Sequence, residues 1–157
     1  MTAFIRPARD SDSAAVCALI AGVFTEYPGC VFELSEMPEL VRPRTAYEEK
    51  GGAAWVALNG ESVAGFVGAV PALHRRTELK NLYVAAALRG TGLGRLLISQ
   101  VEDFARERGD RAVHLWSDTR FERAHAVYAH CGYARGAQTR ELHDLSNSVE
   151  FHFEKQF

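Results

Sequence analysis

ELKNLYVAAALRGTGLGRLL, residues 78–97, decides the fold. Glu78 to Val84 reads as a strand rich in large apolar residues. Leu88-Arg89-Gly90-Thr91-Gly92-Leu93-Gly94 then places three glycines within five positions. Leu93, Leu96, Leu97, Val101, Phe104 and Ala105 follow as one helical face that stops near Gly109. AVHLWS, 112–117, is a second strand. Strand 78–84, helix 92–108 and strand 112–117 make a βαβ unit, so the two strands are expected to be parallel neighbours.

The rest of the chain builds outward from this unit. AFIRP, 3–7, predicts an edge strand, and Asp10 or Ser11 is placed to cap the helix that follows. Ala15, Val16, Leu19, Ile20, Val23 and Phe24 recur at helical spacing. Residues 26–52 are less regular and hold a second helix broken or bounded by Pro43. AAWVAL (53–58), Asn59-Gly60 and SVAGFVGAV (62–70) predict a β-hairpin, because Asn-Gly supplies the positive φ angles of its tight turn. A short helix over 121–131 carries Ala124, Val127, Tyr128 and Cys131 on one stripe. Strands near 133–142 and 149–153 close the chain. The expected fold is α/β: a mixed sheet of about six to seven strands with helices on both faces, in one domain spanning 1–157.

Bulk composition narrows the function. The chain has 157 residues, 47% of them hydrophobic and 24% charged, as in ordinary globular domains. A net charge of −2 offers no global field for nucleic acid or an anionic membrane, so neither is expected as a partner. Cys17, Cys30 and Cys131 are odd in number and widely spaced, which argues against a disulfide framework and against a zinc site. Together with an N-terminus lacking an apolar leader segment, they point to a reducing, cytoplasmic location and no metal.

The glycine turn is an anion site in form. A strand end, a glycine-rich turn and a helix N-terminus aim unpaired N–H groups at one point. A P-loop requires G-x-x-x-x-G-K-[ST], which does not occur. A dinucleotide fingerprint requires G-x-G-x-x-G, whereas Gly90, Gly92 and Gly94 run G-x-G-x-G. Arg89, Gly92 and Gly94 fit R-x-x-G-x-G. That motif, with ELKNLYV before it, AVHLWSDTRF after it and RAHAVYAHCGY at 123–133, resembles the GNAT family of N-acetyltransferases.

The resemblance implies acetyl-CoA as co-substrate and an amine acceptor, either a small molecule or a protein. The loop Arg89, Gly90, Thr91, Gly92, Leu93, Gly94 and Arg95 would cradle the pyrophosphate. Backbone groups of Leu82, Tyr83 and Val84 would meet the pantetheine, with an N–H near Tyr83 or Val84 facing the thioester oxygen. A lysine-like amine is neutral in roughly one molecule in 2500 at pH 7, so a base is useful. Glu78 is the candidate, by likeness to a family strand glutamate; a water chain is the alternative, with Glu78 then paired to Arg75, Arg76 or Lys80. Tyr128, the first tyrosine of Y-x-x-x-G-Y, is the candidate donor to the leaving thiolate, or else a core aromatic. Many family members carry asparagine where this chain has Phe121; Asp118, Thr119 and Arg120 are the nearby polar substitutes.

Other candidates are weaker. His114 and Trp116 alternate on one strand face and read as packing. His125 and His130 miss the i, i+4 spacing of a metal pair, and Cys131 reads as a small hydrophobe. His143, Asp144, Ser146 and Asn147, with Glu26, Tyr27 and Glu33, are available to shape an acceptor pocket. A homodimer, a non-catalytic acyl-CoA sensor and transfer of another acyl group stay open.

Overall fold

The computed structural model describes residues 3–157. Eleven main elements follow one another: β1 (Phe4–Pro7), α1 (Ser13–Phe24), α2 (Pro43–Glu49), β2 (Ala53–Asn59), β3 (Ser62–Ala72), β4 (Arg76–Val84), α3 (Leu93–Glu107), β5 (Ala112–Asp118), α4 (Glu122–His130), β6 (Ala134–Glu141) and β7 (Val149–Gln156). The strands form one seven-stranded sheet in the order β1-β2-β3-β4-β5-β7-β6. Only β4 and β5 pair in parallel, as the βαβ reading requires; every other neighbour pair is antiparallel.

Two cores lie on opposite faces of the sheet. On one, Leu93, Leu97, Val101 and Ala105 of α3 pack with Val113 and Leu115 of β5 and Tyr128 of α4. On the other, Val16 and Ile20 of α1 and Tyr47 of α2 pack with Val56 and Phe66. Glycine makes the second core possible. A Cβ on Gly68 would lie 2.2 Å from the Tyr47 ring, so β3 has no side chain where that ring rests on it.

Several local expectations are corrected. Neither Asp10 nor Ser11 caps α1, which starts at Ser13 after a 3₁₀ turn over Asp10–Asp12. Asp10 instead accepts from the Thr45 backbone N–H (3.0 Å) and hydroxyl (2.5 Å) in the first turn of α2. Asp12 turns back to Arg6 in a two-bonded ion pair, 2.9 Å for each bond. Ala15 is exposed, on the solvent side of α1. Pro43 opens α2 at its first turn, where a missing N–H costs nothing.

β4 carries the feature that shapes the site. Phe66 pairs with Tyr83 and Gly68 with Lys80, so Asn81 and Leu82 together face Val67. This is a β-bulge, with Asn81 in the left-handed region at φ 58°. Its side-chain amide donates to the Tyr47 hydroxyl and to Glu39, 2.9 Å each, which ties the bulge to α2 and the preceding turn.

Candidate active site

The parallel pairing of β4 with β5 lasts three residues and ends at Glu78–His114. Beyond it β4 follows β3 and β5 follows β7, so a wedge opens between them. Two cavities fill this wedge. The larger, of about 640 Å³, runs from Leu82, Tyr83 and Val84 past the glycine loop to Arg89, Arg95 and Arg123. The smaller, of about 100 Å³, holds Glu78, Trp116, Asp118, Tyr128, Arg140 and Glu150. Leu82, Tyr83, Phe121 and Ala124 border both.

The glycine loop has the geometry of an anion cradle. Gly90 and Gly92 adopt φ of 78° and 88°, and no protein atom lies within 4 Å of where a Cβ would stand on either. Gly92 is the N-cap of α3, and the first helical bond runs from Leu96 N–H to its carbonyl (3.1 Å). The N–H groups just before Leu96 therefore lack partners within the helix. Of the expected loop residues, Arg89, Gly90, Gly92, Leu93, Gly94 and Arg95 line the larger cavity. Thr91 does not: its hydroxyl donates to the Leu88 carbonyl (2.6 Å) and braces the turn.

Glu78 and Tyr128, far apart in sequence, meet in the smaller cavity. Among the described residues the Glu78 carboxylate makes no hydrogen bond and no ion pair. The anticipated pairings are taken elsewhere, with Arg76 on Glu154 (2.7 Å) and Arg75 on the Gly109 carbonyl (2.9 Å). Tyr128 is buried, and burial, with added repulsion from Cys131 and Glu150, pushes its hydroxyl above the ordinary phenol range. It stays protonated and can offer a hydrogen bond at any physiological pH.

Two further carboxylates stand beside them: Asp118, weighed in the sequence only as a polar substitute near Phe121, and Glu150, which the sequence did not single out. Asp118 and Glu150 are cross-strand partners on β5 and β7. Burial would raise Asp118, but Arg120, bonded to both its oxygens at 2.9 and 2.8 Å, holds it below its usual value. Burial raises Glu150, and the 2.7 Å bond from Arg140 opposes this only in part. Arg140 also stacks on Trp116, 4.4 Å from the ring centroid. The one sequence signal for Glu150 is an acid inside the short run VEFHF; Arg123 and Arg140 gave none.

Ser146 Oγ accepts from the Val31 N–H (2.8 Å) and donates to its carbonyl (3.2 Å), while the Leu145 N–H donates to Glu36 (2.9 Å). The segment between α1 and α2 is thereby tied to the β6–β7 loop. Of the polar patch in that loop only Ser146 reaches across. Asp144 binds Ser148, His143 faces solvent near Glu141, and Asn147 is exposed. Glu26, Tyr27 and Glu33 do not enter the smaller cavity. Glu26 pairs with Arg89, Tyr27 lines the larger cavity, and Glu33 bonds Ser35.

Phe121 stands where the resemblance leads one to expect asparagine. It packs against Phe24, Tyr27 and Tyr83, with ring centroids 6.1, 4.9 and 6.2 Å away. The polar neighbours are committed: Asp118 and Arg120 to each other, and the Thr119 N–H to the Val149 carbonyl (2.9 Å). Among the described residues no group of three His, Cys, Asp or Glu is arranged to hold a metal, and no helix is long and apolar enough to cross a membrane.

A split mixed sheet, a long cleft ending on a glycine cradle, and a carboxylate–tyrosine pocket at its inner end define an acyl-coenzyme A type of transferase scaffold. The chain belongs to the acetyltransferase (GNAT) family, whose model matches residues 20–133. Rat N-acetyltransferase 8B is 33% identical over 95 residues, which are 57% of this chain and 43% of that protein. The chain thus spans under half the length of that curated relative. A GNAT-family acetyltransferase from Staphylococcus aureus superimposes with a TM-score of 0.84 at 17% identity, covering 99% of each chain. The PaiA N-acetyltransferase of Thermoplasma acidophilum, solved in complex with coenzyme A, gives 0.73 at 15% identity over 100% of both.

Proposed function

We propose that this chain is a single-domain, acetyl-CoA-dependent N-acetyltransferase that moves the acetyl group to a primary amine by direct attack in a ternary complex. The observation that carries the reading is the junction of the two cavities at Leu82 and Tyr83. One cavity suits a long anionic co-substrate, and the other puts a free carboxylate and a buried phenol at its inner end.

The chain's own groups then have distinct tasks. Arg89, Arg95 and the loop N–H groups hold the pyrophosphate. The β4 edge, freed by the split, receives the pantetheine amides in the manner of an added strand. Glu78 takes a proton from the incoming ammonium, leaving the neutral amine to attack the thioester carbon. An N–H near Tyr83 or Val84 stabilises the oxygen as charge builds there. As the C–S bond breaks, the attacking nitrogen sheds its second proton, which goes to the departing thiolate, and Tyr128 donates a hydrogen bond to that sulfur. Its raised pKa favours this over full proton transfer. Asp118 and Glu150 add acceptor oxygens to the pocket, their charges opposed by Arg120 and Arg140. The 100 Å³ volume of the smaller cavity favours a slender amine chain over a folded surface.

The test is release of free thiol from acetyl-CoA against a panel of primary amines, with Glu78→Gln beside wild type. We expect turnover with at least one amine and a fall of about 10²–10⁴-fold in the variant. Tight coenzyme A binding without acetyl transfer to any amine would favour a binding-only module.

A further inference from the structure

The loop arginine of the coenzyme cleft is already engaged. Glu26, two residues past the end of α1, grips Arg89 with both carboxylate oxygens, the Nη2–Oε2 contact being 2.7 Å. The partners are 63 residues apart in sequence. The bond from Arg89 is the main cause that holds Glu26 below its ordinary value, and the charge of Arg123 acts on it in the same direction. Arg89 and Arg123 both line the 640 Å³ cavity, on the loop and on α4. The Glu26 carboxylate therefore sits among cations that face the coenzyme, and Tyr27 beside it forms part of the same wall.

We propose that Glu26 is an internal competitor for the coenzyme's phosphates, a carboxylate that Arg89 must release when it takes the pyrophosphate. This rests on the assignment of the larger cavity to coenzyme A. A two-oxygen acid holding a guanidinium by both N–H groups satisfies the same donors that a phosphate would use. The two anions cannot share Arg89 in that geometry, and Glu26 left nearby repels the newcomer. Only a ligand that adds several charges displaces it, so Glu26 lowers the cleft's affinity for the diphosphate-bearing coenzyme and leaves that for an uncharged pantetheine thiol unchanged. The same event bears on the acceptor. Glu26 begins the segment whose later residues, Val31, Glu36 and Glu39, are bonded to Ser146, Leu145 and Asn81, the last of which lines the smaller cavity. Loading the donor side unpins the near end of the segment that reaches the acceptor side through Glu39 and Asn81.

The experiment is calorimetric titration of coenzyme A, and of pantetheine as the phosphate-free control, into wild type, Glu26→Gln, Arg89→Ala and the double variant. Glu26→Gln keeps the shape and removes the charge. It is expected to bind coenzyme A about threefold to tenfold more tightly, the loss of one half-exposed ion pair. Pantetheine affinity is expected to stay level, and the gain to vanish on the Arg89→Ala background. If Glu26→Gln weakens binding, Glu26 pre-positions Arg89 for the phosphate, and the proposal is overturned. An unchanged affinity, an equal gain for pantetheine, or a gain that persists without Arg89 overturns it as well. Wild type that binds no coenzyme A refutes the cofactor assignment itself, a result separable from all of these.

Discussion

Gly92→Ala separates what the glycine loop does for the fold from what it does for the ligand. Gly92 has φ 88° and ψ 3° and caps α3. A Cβ there meets no protein atom within 4 Å, so the substitution brings no clash. Its cost to folding is the left-handed backbone alone, about 1–2 kcal/mol for a residue with a Cβ. The variant recovers about 0.4–1 kcal/mol because alanine restricts the unfolded chain. A net loss near ~1 kcal/mol lowers Tm by about 2–4 °C in a chain of this size. Binding should suffer far more. The new methyl projects from a residue that lines the cleft and holds a charged ligand off the loop N–H groups. Each charge-assisted bond lost is worth about 1.5–3 kcal/mol, or roughly tenfold to a hundredfold in affinity. Thermal melts and calorimetry with coenzyme A read the two effects on one sample. Unchanged affinity, or a loss no larger than the stability change accounts for, would refute the claim that the backbone of this loop binds the phosphates.

Other perturbations probe the acid, the packing and the titration of the site. Tyr128→Phe is expected to lower kcat by at least tenfold with coenzyme A affinity within about twofold, since in the proposed reaction the phenol meets only the reacting sulfur; equal turnover would return Tyr128 to the core. Gly68→Ala drives a methyl against the buried Tyr47 ring and should destabilise by about 1–3 kcal/mol or more. A smaller residue at 47 should restore part of the loss, and denaturant melts of the double variant decide. His114, lowered to about 4 by burial and then by the charge of Arg76, is held neutral in the fold. Its unfolded pKa is near 6.5, so its stabilising contribution is complete above that pH and is lost as pH falls toward 4, by up to about 3 kcal/mol. A His114→Asn variant should therefore show a flatter Tm profile between those limits, and an identical acid slope would contradict the assignment.

The parts of the molecule legible in the sequence are those set by local pattern. Asn59-Gly60 marked the β2–β3 hairpin, although the turn itself falls on Gly60 and Glu61 and only Gly60 takes a positive φ, Asn59 closing β2; Leu93 to Ala105 marked the buried face of α3, because each signal depends on residues a few positions apart. The parallel β4–β5 pair followed from connection handedness. The bulge at Asn81 was invisible: its left-handed φ is held by Tyr47 and Glu39, 34 and 42 residues away. Asp10 was misread as a cap of its own helix because nothing local reveals that Thr45 competes for it. Glu150 escaped notice because its place beside Glu78, Asp118 and Tyr128 depends on β7 inserting between β5 and β6.

That contrast follows the physics of the two half-sites. A phosphate cradle is made of backbone N–H groups, so glycine spacing alone writes it into the chain. The acceptor pocket is made of side chains from β4, β5, α4, β6 and β7, and only the assembled sheet brings them together. Phe121 stands where the halves meet. With Phe24, Tyr27 and Tyr83 it builds an aromatic partition bordering both cavities. A polar side chain at this position would bring a hydrogen-bonding group to the partition; the phenyl ring instead makes it apolar. Charges and dipoles that face the thioester across such a wall are screened less by water. On the proposed reading, the unpaired Glu78 carboxylate and the neutral Tyr128 phenol would then exert more on the reacting atoms than in an open cleft, which is the advantage an aromatic residue would give this site over a polar one.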